Sequence, residues 1–161
     1  MFRKMRRWKQ EMPVEEAYEI LKSYHSGVLA LQGDDGYPYT VPMCYYFNGE
    51  KIYFHSAASG HKMDAIANCD KASFCVVSED RNIPEKLTTA YKSVVVFGRV
   101  TIVEETDEKR AAIEAVGRKY SPGYDAEMNR QIERDFRFLR VISLTPEHIT
   151  GKEAMEFAKN R

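Results

Sequence analysis

The sequence predicts a mainly β chain, a small six-stranded antiparallel barrel with α-helices at its periphery. Three observations carry that expectation. Runs of aromatic and β-branched residues recur along the chain, as in Val28-Leu29-Ala30-Leu31 and Ile52-Tyr53-Phe54. The connections between runs have hairpin chemistry, most plainly Asn48-Gly49. The regular strand-helix-strand alternation of a doubly wound parallel sheet is scarce. A chain of 161 residues suits one domain around one core, spanning 1–161 with a polar tail from about 151.

Each element has its own signal. Pro13 opens a helical pattern in which Val14, Ala17, Tyr18, Leu21 and Tyr24 form one apolar face, so a helix is expected over 13–24. Val28 to Leu31 reads as a buried strand, and Gly33-Asp34-Asp35-Gly36 as a turn whose residues accept unusual dihedrals. A second strand covers 39–47. Pro42 within it has no N–H for a ladder, which calls for a sheet edge or a bulge. Asn48-Gly49 then pairs this strand with residues 51–54.

Residues 61–68 read as a short helix and 72–77 as a strand. The charged stretch 78–88, with Pro84, reads as a loop. The longest strand signal is 93–103. Its apolar residues fall on both faces, so both faces are expected to be buried, the second by a helix or another subunit. Thr106-Asp107 is the expected cap of a helix running to about Lys119, and 126–134 is a further short helix. A last strand covers 138–144, and Thr145-Pro146 is expected to turn the chain before the tail.

Composition narrows the function classes. Hydrophobic residues are 43% and charged residues 30%, the balance of a soluble globular protein. Lysine plus arginine equals aspartate plus glutamate at 24 each, so bulk charge gives no reason to expect a nucleic-acid partner. No apolar run approaches the ~20 residues that span a membrane. Cys44, Cys69 and Cys75 have the spacing of neither a disulfide framework nor a zinc motif. They are read as reduced thiols of a cytoplasmic protein, Cys44 and Cys75 as small hydrophobes. The five cations among residues 1–9 precede no apolar h-region and read as a frayed basic terminus.

The stretch with most chemical content is Ile52 to Lys62. A strand breaks into Ser56-Ala57-Ala58-Ser59-Gly60 and ends in His61-Lys62 before a helix. Small side chains let backbone N–H groups approach an anion, and the helix N-terminus and a lysine add positive charge. His55 and His61 bracket the loop as further donors. On local chemistry alone an ordinary strand-to-helix connection with solvated basic residues is the commoner explanation. Next to it, a strand interrupted by Pro42 would free backbone groups at Thr40, Val41, Pro42 and Met43 for a ligand. Ser93, at the start of the long strand, would bond either a heteroaromatic edge or its own neighbours. The four histidines form no compact metal motif, and there is no nucleophile elbow, Walker lysine or Rossmann glycine fingerprint.

Taken in order, Gly36-Tyr37-Pro38-Tyr39-Thr40-Val41-Pro42, then Ile52-Tyr53-Phe54-His55-Ser56-Ala57 with Gly60-His61-Lys62, then Tyr91-Lys92-Ser93-Val94-Val95-Val96-Phe97-Gly98 resemble the flavin-binding split-barrel superfamily of pyridoxamine-phosphate oxidase. With the Ile149-Thr150-Gly151-Lys152 ending, the chain is most similar to the Nim-type group associated with 5-nitroimidazole resistance. The resemblance runs from the first helix to Lys152. It implies a homodimer of split barrels with two FMN molecules at the interface. Ser56, His61 and Lys62 would match the phosphate-binding positions, with His55 beside them. Thr40 to Met43 would line the isoalloxazine ring, and Ser93 falls where the oxidase group has a ring-contacting glutamine. Two departures stand out. The phosphate-holding arginine expected near Val41 is missing, as is the C-terminal Trp and Arg pattern for the vitamin substrate. The expected function is an FMN-dependent oxidoreductase that passes electrons from NAD(P)H to a small electron-poor acceptor such as a nitroimidazole. The alternative is a non-catalytic flavin- or haem-binding storage protein.

Overall fold

Seven strands form one antiparallel sheet in the computed structural model, which describes residues 1–159. They are β1 (Ser26–Gln32), β2 (Pro38–Cys44), β3 (Tyr46–Phe47), β4 (Ile52–Ala57), β5 (Lys71–Ile83), β6 (Thr88–Ile102) and β7 (Leu139–Glu153). Their order across the sheet is β2-β1-β5-β6-β7-β4-β3. The helices are α1 (Val14–Ser23), α2 (His61–Asn68), α3 (Thr106–Tyr120), α4 (Asp125–Asp135) and α5 (Met155–Ala158). The last two residues of the expected polar tail, 160 and 161, lie outside the described residues.

The strand order explains the barrel. Its two outermost strands, β2 and β3, are consecutive in the chain and separated only by Tyr45. The sheet must curl until its ends meet, yet no ladder joins β2 to β3 or β4. β3 pairs with β4 only through Tyr46↔Tyr53 and Phe47↔Ile52, so Phe54 to Ala57 have no partner on that side. The barrel is therefore split, with one edge of β2 facing the free edge of β4. Here the single expected strand 39–47 becomes two, and the strand count rises from six to seven. Pro42 sits on the edge strand β2 opposite Val28, where its missing N–H costs no ladder bond.

The inner face holds the main core. Phe74 packs edge-on against Tyr45 at 4.9 Å and Phe54 at 5.1 Å, surrounded by Leu29, Val76, Val94, Val96, Ile142 and Leu144. Helix α1 closes one end with Ala17, Ile20 and Leu21. A second, smaller cluster lies on the outer face of β4 and β7, where α3 and α4 bury Tyr53, Val103, Ala112, Ile113, Ile132 and Val141.

Three expectations need correction. The charged stretch 78–88 is not a loop. β5 continues to Ile83, one 3-10 turn at Pro84–Lys86 reverses the chain, and β6 begins at Thr88. Polar side chains are compatible with a ladder when both faces of a ribbon meet water, and Pro84 lies in the turn, outside the pairing. Thr145-Pro146 does not turn the chain either. β7 runs through it, with a register shift opposite Phe97/Gly98. Gly98 permits this, because a Cβ there would lie 2.2 Å from the Thr145 carbonyl oxygen. Helix α3 is capped by Glu105 rather than Thr106 or Asp107, its carboxylate accepting from the N–H groups of Asp107 and Glu108. Within the single chain, one face of β6 is sealed, and no helix of the described residues covers the other. Val94, Val96 and Val100 are buried, but Phe97 is 40% exposed.

Candidate functional site

Strand alternation sorts the residues of β4. Ile52, Phe54 and Ser56 turn toward the barrel interior, while Tyr53, His55 and Ala57 turn outward. The chain then passes through Gly60, whose φ of 120° is one that L side chains rarely adopt. The Gly60 carbonyl accepts from the N–H groups of Met63 (2.7 Å) and Asp64 (3.2 Å), which starts α2. Lys62, in the first turn of α2, reaches back so that Nζ donates to Ser56 Oγ at 3.3 Å. No carboxylate pairs with Lys62 among the described residues, and partial burial pulls its pKa down. A half-buried ammonium with one hydroxyl for company is a site that favours an anion.

Arg140 on β7 is the cross-strand neighbour of Ser56. Its guanidinium donates to the carbonyls of Arg137 (3.3 Å) and Leu139 (3.1 Å) and has no carboxylate partner among the described residues. Arg140 is thus a second cation without a carboxylate partner among the described residues, on the strand paired with Ser56 and with its guanidinium turned to the backbone of residues 137–139. Local sequence carries no signal for Arg140, because only the register of β4 against β7 brings it there.

His55 is on the other side of the strand. Burial, and then the charge of Lys62, lower its pKa, so its neutral form is favoured. It lines a pocket of about 200 Å³ between α3, α4 and the outer face of β4 and β7. His61 goes elsewhere. Its ring stacks on Tyr39 at 4.1 Å, and Nε2 is 3.4 Å from Asp34 Oδ2, so its contacts fasten α2 to the β1–β2 hairpin.

On β2, Thr40 and Pro42 are exposed, Val41 is half-buried and Met43 is in the core. β2 has β1 as its only ladder neighbour, so alternate N–H and C=O groups along it face the split. Ser93 is not brought to these residues. It lies on β6 opposite Lys152 and Val77, with β5 and β1 between it and β2.

At the apex of the split, the unpaired backbone of Tyr45 is held by the end of α3. Tyr45 N–H donates to Tyr120 Oη (2.8 Å), and Tyr120 O–H lies 3.0 Å from the Tyr45 carbonyl and also bonds the His25 carbonyl. Lys119 Nζ donates to the Tyr45 carbonyl at 3.2 Å and to the Tyr24 carbonyl, over the Tyr45 ring. Burial takes the Lys119 pKa down to about 8. Neither residue stands out in the sequence, because the contacts span about 75 positions.

Cys44 is exposed rather than packed in this chain, and Cys69 and Cys75 are partly buried, all three as free thiols. Among the described residues no group of His, Cys, Asp and Glu is placed to hold a metal ion, and no helix is long and apolar enough to cross a membrane.

Comparisons with known proteins agree with this architecture. A search of the curated proteins finds no match. Among solved structures, a Bacteroides thetaiotaomicron protein provisionally assigned to 5-nitroimidazole antibiotic resistance superposes with a TM-score of 0.71 at 20% identity, covering 89% of this chain and 86% of that one. The FAD and haem binding protein of Mycobacterium smegmatis gives 0.76 at 19% identity over 90% of this chain and 73% of that one. The flavocytochrome Anf3 of Azotobacter vinelandii gives 0.75 at 16% identity over 94% and 72%. These likenesses are of fold. Residues 13–153 match the family described as pyridoxamine 5'-phosphate oxidase, and the chain belongs to that family.

Proposed function

We propose that this protein binds a flavin through its phosphate and works as an oxidoreductase, taking electrons from a reduced nicotinamide and delivering them to a small electron-poor acceptor such as a nitroimidazole. The observation that carries the reading is Lys62, half-buried beside Ser56 with no carboxylate to neutralise it. FMN meets that site with its phosphate, and the flavin when bound supplies the redox chemistry. The chain supplies position. Lys62 and Ser56 hold the phosphate, while the free edge of β2 at Thr40 to Met43 offers backbone donors and acceptors to the ring edge. Neutral His55 adds one ring nitrogen as donor or acceptor. His61 acts by bracing α2, given its contacts with Tyr39 and Asp34.

The site is completed by a second copy of the chain. The outer face of β1, β5 and β6 carries Val28 (40% exposed), Val77 (55%) and Phe97 (40%), with Cys75 and Val95 in register between them. Such an apolar surface favours a like partner. The other reading, a flavin- or haem-storing protein, is supported by the flavin- and haem-binding relatives of the same fold.

The test begins with the absorption spectrum and light scattering of the purified protein. Flavin bands in a dimer, followed by anaerobic bleaching with NADH or NADPH and recovery on adding a nitroimidazole, are the expected result. A Soret band, or flavin that no reduced nicotinamide bleaches, favours storage. A protein that takes up no added FMN overturns the flavin reading altogether.

A further inference from the structure

The pocket of about 200 Å³ between α3, α4 and the sheet is a separate place from the phosphate grip. Strand alternation puts it on the opposite face of β4 from Ser56. Its walls are apolar, with Ile113 and Val116 from α3, Ile132 from α4 and Leu139 from β7. Met128, also in the wall, packs onto Gly117, where a Cβ would collide with the Met128 sulfur. The bare glycine thus seats a thioether, a side chain that adapts its shape to what it meets.

Size and charge define what the pocket can hold. An apolar cavity of about 150 Å³ is enough to bind benzene, so this one has room for one aromatic ring and a little more. No lysine or arginine lines it. Its one carboxylate, Asp135, is already held by Arg134 through two bonds of 2.8 Å. His55 keeps accessible surface, while burial and then the charge of Lys62 favour its neutral form. A charged ligand would therefore lose hydration and meet no free opposite charge. A neutral imidazole offers one donor and one acceptor, and among the described residues no hydrogen bond occupies either. Gln131, an exposed residue of the lining, adds an amide.

We propose that this pocket is a second ligand site, for a small uncharged aromatic compound that carries one hydroxyl or ring N–H, of the phenol or indole class. The ring lies between α3 and α4, and its O–H or N–H donates to His55. The site stands apart from the flavin reading, since Lys62 and Ser56 take no part in it.

Nuclear magnetic resonance titration of the protein with isotopically labelled methionine methyls tests it, with phenol, indole and benzoate as probes. Phenol and indole are expected to shift the Met128 methyl resonance saturably, through the ring current of a bound aromatic. Benzoate is a ring of similar size with a full negative charge. It should bind at least about tenfold more weakly, because its charge is buried without a partner. Gly117→Ala sets a methyl against Met128 and displaces it. What moves is the end of a flexible side chain, and alanine suits a helix better than glycine, so the variant should fold. It should weaken phenol and indole about fivefold or more and leave FMN affinity within about twofold. No shift with millimolar phenol or indole, or saturable shifts at Met12 and Met43 of the main core instead of Met128, overturns the proposal. So does benzoate that binds as tightly as phenol, or a folded Gly117→Ala protein with unchanged affinity for both rings. A protein that takes up no FMN while phenol still shifts Met128 overturns the flavin reading and supports this site.

Discussion

Lys62 and Lys119 are both half-buried and both have a pKa lowered by burial, yet they differ in company. Lys119 is saturated. Its ammonium meets two backbone carbonyls and the Tyr45 ring, and Tyr120 beside it satisfies the rest of the Tyr45 backbone. Lys62 has a single hydroxyl at 3.3 Å. A buried cation with all its donors used is part of the scaffold, and one with donors unused is part of a site. The difference separates an apex that shapes the split from the proposed grip.

The largest expected effect is at the apex. Tyr120→Phe removes the one hydroxyl among the described residues that serves Tyr45 N–H and the Tyr45 and His25 carbonyls. Leaving such groups unpaired costs about 1–3 kcal/mol each when buried. Water reaches some of them, so a total near 3 kcal/mol is expected. Thermal unfolding of the flavin-free variant should drop by roughly 10 °C. Unchanged unfolding would mean that β2 and β3 hold their divergence without α3.

Next comes the grip. Lys62→Ala should weaken FMN binding by about 1–3 kcal/mol, the range for losing a charged hydrogen-bond partner. Lys119→Ala should leave FMN affinity nearly intact and lower stability instead. Equal loss of affinity in the two variants would erase the distinction between them.

How much of this was readable beforehand follows from the range of the forces involved. The hairpin at Asn48-Gly49, the edge placement of Pro42 and the β4–α2 junction are set by a few adjacent residues, and the sequence displayed them. The β5–β6 ribbon was hidden because its charged residues look like a loop. Only pairing across the ribbon, with Glu79↔Lys92 and Asp80↔Tyr91 in register, makes them a strand. That Lys62 stands in the first turn of a helix after a small-residue loop was legible. Arg140 and Lys119 were not, because each reaches its neighbours through strand register or the end of a helix far along the chain. His61 was read as an anion ligand from proximity in sequence. In the fold its ring contacts Tyr39 and Asp34, which the register of the β1–β2 hairpin brings to it.

A pH titration sharpens the comparison further. Lys119 has a folded pKa of about 8, below the ordinary lysine value. Above pH 8 the unfolded chain keeps a proton that the folded chain releases, so stability should rise with pH through this window and be flat in this respect below it. The full shift is discounted because Lys119 is partly solvated, which leaves about 1 kcal/mol. Tyr120, pushed up to about 12, and Cys75, pushed up by burial, oppose the rise as pH climbs further. The gain is therefore read between pH 8 and 9 by chemical denaturation. Lys119→Met should flatten it, and a slope that survives that substitution would assign it elsewhere.

The smallest effect is the most discriminating. If Lys62 is an unfinished cation, removing its charge should relieve the flavin-free protein. Lys62→Met keeps the aliphatic stem and deletes the ammonium, so the flavin-free variant should be more stable than the parent by about 0.5–1 kcal/mol. The ranking should invert with flavin present, since a ligand that binds only the folded form stabilises it in proportion to its affinity. Denaturation curves of both proteins with and without FMN measure this crossing. A Lys62→Met protein less stable than the parent in both conditions would show that Ser56 alone satisfies the lysine. The grip would then be scaffold of the same kind as the apex.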